Sequence, residues 1–457
     1  METKSCLSLI MAAGEGTRMN SNIPKVLHQV AGKAMIDRVL DVCPPGPQPV
    51  VIVGHGRQAV EEHVGTRARF AVQEEQKGTG HAVMMARTYL EQHKGMVLVL
   101  AGDMPLLTKD VIDALVQQAQ GKKAALLSSM AADPTGYGRI LRDAKGDVCG
   151  IVEQKDATEE QREIREVNAS VYVFDAKALL DCLDALTCDN AQGEYYLTDC
   201  IALLAQKGEA IGSVTAEEET RLGVNNRVQL AQAEAVVRRR VNETWMHAGV
   251  TLIDPAQAYI DETVQIGRDS VIYPGVMLQG RTTIGAGCMI MQGCRIVDSE
   301  IGDGTDVQNS VLIEAKVGAQ THIGPFAYLR PGSIVGNACK IGDFVELKNM
   351  QVGDRSKLPH LTYAGDGTIG TDCNIACGTI FVNYDGKVKQ QTHVGNHCFV
   401  GCNVNLIAPA EIGDGAYIAA GSTVVGEVPG DSLCIGRAHA DIKEEWAKRR
   451  REQGRLK

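Results

Sequence analysis

Aromatic side chains make up only 4% of the 457 residues, with two tryptophans and six phenylalanines among them. That excludes a core of large rings over much of the chain, so the 44% of hydrophobic residues must pack mainly as aliphatics and small side chains. Positive charge is also short: 46 Lys and Arg stand against 56 Asp and Glu, a formal net charge of −10. Duplex binding needs a basic surface, so no nucleic-acid partner is expected. No apolar run approaches the roughly 18 residues a spanning helix requires, and no membrane insertion is expected. Lys4 followed by Cys6 to Ala13 has the outline of a short signal peptide, but the run ends in glycine and charge instead of a cleavage site and reads as a first strand.

Glycine, at 49 residues, and cysteine, at 14, are in better supply. The cysteines are scattered without the dense pairing of a small secreted scaffold, which points to free thiols and a cytoplasmic protein. Cys373 with Cys377, and Cys398 with Cys402, share a Cys-x3-Cys spacing compatible with zinc. Both pairs fall inside a repeat whose small inward positions accept cysteine as a hydrophobe, and that reading is preferred.

At roughly 150 residues per domain, the chain should hold two or three domains. Up to about residue 225, strand-like runs alternate with helical patterns: Leu7 to Ala12, Val26 to Val42, Val50 to Val53, Ala82 to Leu90 and Met96 to Leu100. This alternation predicts an α/β fold with a doubly wound, largely parallel sheet and ligands at the carboxyl ends of its strands. From Asn226 to Ala248 there is no proline or glycine. Val228, Ala231, Ala235, Val241 and Trp245 can form a stripe there, predicting a long connecting helix stopped at Gly249. Arg238 to Arg240 reads as its solvated face.

Beyond Gly249 an aliphatic residue followed by glycine recurs, as in Ile266-Gly267, Ile284-Gly285, Val317-Gly318, Ile323-Gly324, Val335-Gly336 and Ile341-Gly342. The first two pairs are 18 residues apart and later neighbours are often 6 or 12 apart. Six residues per side and three sides per coil make a triangular parallel β-helix, with the aliphatic inward and glycine permitting the corner. The longer gap from Ile369 to Val394 leaves room for a projecting loop carrying FVNYDGK. The predicted divisions are therefore 1–225, 226–249 and 250–457. Lys443 to Lys457 is a basic tail, read either as an outward extension or, from Arg449, as a disordered solubilising end.

The segment LIMAAGEGTRMNSNIPKVLH follows the first strand. Gly14 and Gly16 would let the backbone approach a phosphate chain, and Arg18 and Lys25 could neutralise charge developing at phosphorus. No Gly-Lys-Ser/Thr closes the segment, so it is not a P-loop. In AGDMPLL, Asp103 follows a strand, where a carboxylate can hold magnesium against phosphate oxygens or simply cap the next helix. In the repeat half, YLRPGS carries Arg330, FVELKN carries Lys348, and LPHLTYAGD carries His360 and Tyr363. Two cations and a phenol suit a sugar phosphate, and they raise the histidine above an ordinary structural one.

AAGEGTRM with Pro24-Lys25 resembles the signature of sugar-1-phosphate nucleotidyltransferases. With QEEQKGTGHA, AGDMPL, GYGRI, GIVEQKDA, REVNAS, GVNNR and the hexapeptide half, the chain from about Leu7 to Arg437 resembles the bacterial family of bifunctional N-acetylglucosamine-1-phosphate uridyltransferase/glucosamine-1-phosphate N-acetyltransferases. The resemblance implies a Rossmann-like nucleotidyltransferase domain and a left-handed parallel β-helix. It implies that Ala12, Ala13, Gly14, Gln73, Gly78 and Thr79 hold the uridine nucleotide and Gly138, Glu153 and Asn168 the amino sugar, with Gly102 binding nucleotide or sugar. Asp103 and Asn225 would bind Mg2+, while Arg18 and Lys25 would stabilise the attack of the sugar phosphate on the α-phosphorus of UTP. In the second half His360 would be the general base, Arg330, Lys348, Tyr363 and Asn374 the sugar-phosphate site, and Cys377, Asn383, Tyr384, Cys402, Ala420 and Arg437 the acetyl-CoA site. A homotrimer is implied, with the acetyl-transfer site between neighbours. The chain departs from the pattern at Ala101, where some relatives have tyrosine, and at Cys377 and Cys402, where alanine and serine are common. Two other readings are weaker. A single-activity nucleotide-sugar pyrophosphorylase with a regulatory β-helix does not account for His360 with Asn383-Tyr384. A binding scaffold with a decayed transferase domain does not account for Arg18, Lys25, Asp103 and Asn225.

Overall fold

The computed structural model describes residues 5–457, so Lys4 of the leader-like segment lies outside the described residues. The chain forms two compact units, Met1–Arg240 and Val241–Lys457.

The first unit is built on a sheet of β1 (Cys6–Ala12), β2 (Val50–Val53), β3 (Arg69–Val72), β4 (Met96–Ala101), β5 (Ala124–Met130), β8 (Glu166–Asp175) and β9 (Ile211–Ala216). A hairpin of β6 (Arg139–Arg142) and β7 (Val148–Val152) joins it through a Val167–Arg139 pairing. The order across the sheet is β9-β5-β8-β4-β1-β2-β3, and only β8 runs antiparallel to its neighbours on this path. Alternate residues of β1 enter cores on opposite faces: Leu7 and Leu9 one, Ile10 and Ala12 the other. Each fully buried aliphatic of this kind contributes about 1.5–3 kcal/mol. β1 lies between β2 and β4, so the crevice beyond their carboxyl ends is the topological switch point where ligands gather.

Two predicted helices come out shorter. Val26 to Val42 yields an α-helix only over Met35–Asp41. Ala31 and Gly32 both have positive φ, 46° and 77°, and close a two-residue hairpin between Gln29–Val30 and Lys33–Ala34. Ala82 to Leu90 is divided between the helices Thr79–Met84 and Arg87–Gln92. The connecting helix spans Arg227–His247, but its buried apolar positions are Ala233, Val237 and Val241, with Asn242 buried beside them, while Val228, Ala231 and Ala235 are exposed. The apolar face therefore steps by four from Ala233, a phase that alanine alone does not reveal. The arginine run is not simply solvated: Arg239 pairs with Glu219 at 2.6 Å and Arg240 donates to the Leu106 carbonyl at 3.0 Å.

The second unit is a parallel β-helix whose three columns of inward aliphatics are buried, for example Ile272-Ile290-Val307, Leu278-Ile296-Leu312 and Ile284-Ile301-Val317. The glycine after the third-column aliphatic does not owe its place to φ, contrary to expectation. At Gly302 a Cβ would lie 2.6 Å from the Ala319 nitrogen of the next coil, so close stacking demands it. The positive φ comes two residues later, where Gly304, Gln320 and Ala338 occupy equivalent turns. Beside those turns a column of small polar residues bonds coil to coil: Thr305 Oγ1 donates to the Gly318 carbonyl at 2.8 Å, Ser356 Oγ to Gly370 at 2.7 Å, and Cys398 Sγ to Gly413 at 3.1 Å. Cys288, Cys339 and Cys373 occupy the same column, which with Cys398 accounts for four of the 14 cysteines. The excursion after Ile380–Val382 projects Tyr384 to Lys389 into solvent before the chain resumes at Thr392–Val394. The tail forms a helix, Trp446–Glu452, on which the Arg450 guanidinium stacks 5.1 Å from the Trp446 ring centre.

Candidate functional sites

Two cavities, about 320 and 440 Å3, open at the carboxyl ends of β1 and β4 and share Met11, Thr79, Ala101 and Asp103. The first is lined by Ala12, Ala13, Gly14, Lys25, Gln73 and Gly78, and the second by Arg18, Asn168 and Asn225. Gly16, at φ 66°, sets Lys25: a Cβ there would lie 2.8 Å from the Lys25 Cβ. Gln73 is buried and fixed by donating to the Gly78 carbonyl at 3.2 Å and contacting His81 Nδ1 at 3.1 Å. Thr79 Oγ1 accepts from the Leu197 amide, tying the first cavity's rim to a distant segment.

Lys25 Nζ donates to Asp103 Oδ2 and, at 3.1 Å, to Asn225 Oδ1. A carboxylate and an amide oxygen thus converge on one cationic point beside both cavities. Arg18 is exposed on the second cavity and no bond to its guanidinium is seen among the described residues. Three expected residues lie outside both linings. Gly102 is packed beneath, a Cβ there being 3.1 Å from the Met11 carbonyl oxygen. Gly138 and Glu153 cluster with Asn168: a Cβ on Gly138 would be 3.4 Å from Glu153 Oε2 and 3.5 Å from the Asn168 Cβ. Burial pushes the Glu153 carboxyl above its ordinary range, partly offset by the Thr198 hydroxyl donating at 3.2 Å. Ala101, the position where the sequence departs from the family pattern, lines both cavities. Sequence reasoning missed Gln76, which donates to the Ala13 carbonyl at 2.8 Å, and Tyr137 and Arg221, whose guanidinium stacks 4.3 Å from the ring centre. Gln76 and Tyr137 stand inside the quoted motifs QEEQKGTGHA and GYGRI; Arg221 carries no such signal.

On the β-helix the expected residues fall on successive coils. Strand register places His360 opposite Asp343, and their 2.5 Å contact joins Nδ1 to Oδ1. A carboxylate acceptor at Nδ1 fixes the tautomer that leaves Nε2 able to take a proton. The bond to His360 in turn holds the Asp343 carboxyl below its ordinary range. Lys348 Nζ donates to Asp366 at 3.1 Å, and Asn383 Nδ2 donates to Asp366 at 2.6 Å and lies 3.4 Å from the Tyr363 hydroxyl. Arg330 Nη1 pairs with Glu346 at 2.9 Å. Asn374 lies opposite Lys357 and Phe399, which aligns Cys377 with His360 and Cys402 on neighbouring coils. Ala420 follows in the next coil, its amide 2.5 Å from where a Gly401 Cβ would be, and the Arg437 side chain lies 3.5 Å from a Cβ placed on Gly421. Tyr384 is exposed on the loop. Asp343, Glu346 and Asp366 were missed; each stands 16 to 18 residues from the partner it holds, one coil away.

Residues 8–194 match the family described as MobA-like NTP transferase domain, residues 255–365 the GMPPB C-terminal domain, and residues 391–426 the bacterial transferase hexapeptide repeats. A protein of Caldanaerobacter subterraneus subspecies tengcongensis named bifunctional protein GlmU is 51% identical over 454 residues, covering 98% of this chain and 99% of its own. Proteins of the same name from Halalkalibacterium halodurans, 49% identical, and Clostridium botulinum strain Langeland, 48% identical, each align over 444 residues, 96% of this chain and 98% and 97% of theirs.

Proposed function

The chain belongs to the family of bifunctional GlmU proteins, and from that premise we propose how its two halves divide the synthesis of UDP-N-acetylglucosamine. The second half transfers acetyl from acetyl-CoA to the amine of glucosamine-1-phosphate. The first half couples the N-acetylglucosamine-1-phosphate so formed to UTP and releases pyrophosphate. The observation that carries the uridylyl reading is the convergence of Asp103 and Asn225 on the Lys25 ammonium beside two joined cavities.

In the first half the backbone of Ala12 to Gly14 with Gln73, Gly78 and Thr79 holds the nucleotide, and Asn168 with Gly138 and Glu153 holds the sugar. The donor set fits magnesium, which commonly takes one or two protein oxygens and keeps several waters. Asp103 and Asn225 would hold it, and it would neutralise phosphate oxygens. Lys25, once Asp103 is otherwise engaged, pairs with the phosphates, and Arg18 meets the charge that grows as the sugar phosphate attacks the α-phosphorus. Positioning and charge, not a proton acceptor, govern this transfer.

In the second half His360 Nε2 takes the proton from the substrate amine as it attacks the thioester, with Asp343 stabilising the imidazolium. Arg330, Lys348, Tyr363 and Asn374 bind glucosamine-1-phosphate; Asn383, Tyr384, Ala420, Arg437 and the small Cys377 and Cys402 positions receive acetyl-CoA. The protein acts as a cytoplasmic homotrimer, a reading supported by its 14 free cysteines and by the exposed apolar residues Phe326, Phe344 and Leu361 on successive coils, beside Asp343 and His360. Sedimentation at three times the 49.0 kDa chain mass checks it. Among the described residues no helix is long and apolar enough to cross a membrane.

Purified protein given Mg2+, acetyl-CoA, glucosamine-1-phosphate and UTP should release CoA and pyrophosphate and accumulate UDP-N-acetylglucosamine by mass. Chelating the metal should stop pyrophosphate release and leave CoA release running. Formation of UDP-glucosamine with no CoA released would refute the assignment of the second half.

A further inference from the structure

Asp366 is a buried carboxylate, 8% exposed, within the strand Tyr363–Ile369, and its φ of 52° is one that few residues other than glycine, asparagine and aspartate adopt readily. Its Oδ1 accepts from Asn349 Nδ2 at 3.0 Å, and its Oδ2 accepts from Lys348 Nζ at 3.1 Å and from Asn383 Nδ2 at 2.6 Å. The donors come from the two coils on either side of it, through register pairs such as Lys348 with Gly365. An ionised carboxylate is the only side chain that accepts throughout and carries the charge to match a lysine, and a buried charge is stable only when so paired.

We propose that Asp366 is a positioning residue that couples the two substrate half-sites of the acetyl-transfer centre, holding Lys348 for the sugar phosphate and Asn383 for the acetyl donor. The inference rests on the acetyl-transfer reading above and goes beyond it, because that reading gives Asp366 no part in holding either substrate. Lys348 has a flexible four-carbon stem that loses considerable rotamer freedom when it binds a phosphate. Anchored beforehand at Asp366, it meets the phosphate with that ordering already made. Asn383 begins the projecting loop and has two contacts that fix its amide, Asp366 and the Tyr363 hydroxyl. One carboxylate therefore sets both the cation on one coil and the root of the loop two coils on. Whatever displaces one donor is felt by the other, which makes the coupling reciprocal between the substrates.

Asp366→Asn keeps the shape and removes the charge. It should raise KM for glucosamine-1-phosphate and for acetyl-CoA together, each about 10-fold, with a smaller change in kcat. In a Lys348→Met background the same change should add nothing further to KM for glucosamine-1-phosphate while still raising KM for acetyl-CoA, because residues acting through one contact are not additive. Should Asp366→Asn fold poorly, Asn349→Gly, at an exposed position of φ 47° that glycine tolerates, should raise both KM values about 3-fold at unchanged melting temperature. If Lys348→Met leaves KM for glucosamine-1-phosphate unchanged, the underlying assignment of Lys348 falls and the proposal with it. If Lys348→Met raises that KM but Asp366→Asn raises neither, raises only one, or multiplies with Lys348→Met, the positioning role alone is overturned.

Discussion

Lys25 and Asn225 stand 200 positions apart and meet at 3.1 Å, whereas His360 and Asp343 are 17 apart and Lys348 and Asp366 are 18 apart. The first unit gathers its site from loops at the ends of a doubly wound sheet; the second stacks its site from neighbouring coils of one repeat. In the first, a crevice arises from strand order, and charge is concentrated at a single point between cavities. In the second, each polar side chain finds its partner one coil away, so the spacing that builds the scaffold also builds the pairs. A site assembled from distant loops should be vulnerable through its charges, and one assembled by stacking should be vulnerable through its coils.

A large effect follows from the charge. Lys25→Met should cut pyrophosphate release about 10²–10³-fold, the scale seen when one fixed transition-state donor is lost, while CoA release is unchanged. An equal loss of both activities would mean the halves do not divide as described. Next comes the coil. Gly302→Val forces a side chain against the Ala319 backbone, and about 3 kcal/mol of stability should be lost from the β-helix in denaturant unfolding. A variant as stable as the parent would show that the coils are not closely stacked there.

Much of this architecture is legible in the sequence, and the limits are physical. The six-residue period predicts the β-helix because each aliphatic column must face one interior. The same period does not distinguish glycine needed for φ from glycine needed for close approach, and Gly302 belongs to the second kind. Strand-like runs locate β1, β2 and β4, but the Ala31-Gly32 turn was hidden inside a pattern that also fits a helix. Lys25 and Asp103 were visible as motif residues, yet their pairing was not, because no local spacing encodes a contact between segments so far apart. Asp343 and Asp366 were overlooked for the opposite reason: within a repeat rich in Asp and Gly, a carboxylate one coil from its partner looks like ordinary turn chemistry.

Two smaller effects are expected, one in each unit. Cys398→Ala should cost about 1 kcal/mol by removing the bond to the Gly413 carbonyl, and Cys398→Ser should cost under about half of that, because serine fills the same role at Ser356. Equal losses would assign the cysteine to packing alone. Smallest is the pair of Arg142 and Glu166 on the first unit, 2.6 Å apart. The bond from Arg142 holds the Glu166 carboxyl below its usual 4.5, so the stabilisation is present above that pH and is lost as pH falls through the depressed value. Arg142→Met should thus be less stable than the parent at neutral pH by under about 1 kcal/mol, the gap closing below pH 4.5. A gap that persisted into acid would remove charge pairing as its cause.

Two separate transferase centres on one polypeptide should come apart when CoA release and pyrophosphate release are measured side by side in Asp103→Asn and in His360→Ala. Asp103→Asn should lose pyrophosphate release and keep CoA release, and His360→Ala should lower CoA release about 10²–10⁴-fold and keep pyrophosphate release from supplied N-acetylglucosamine-1-phosphate. Loss of both activities in either folded variant, or full acetyl transfer without the histidine, would contradict that separation.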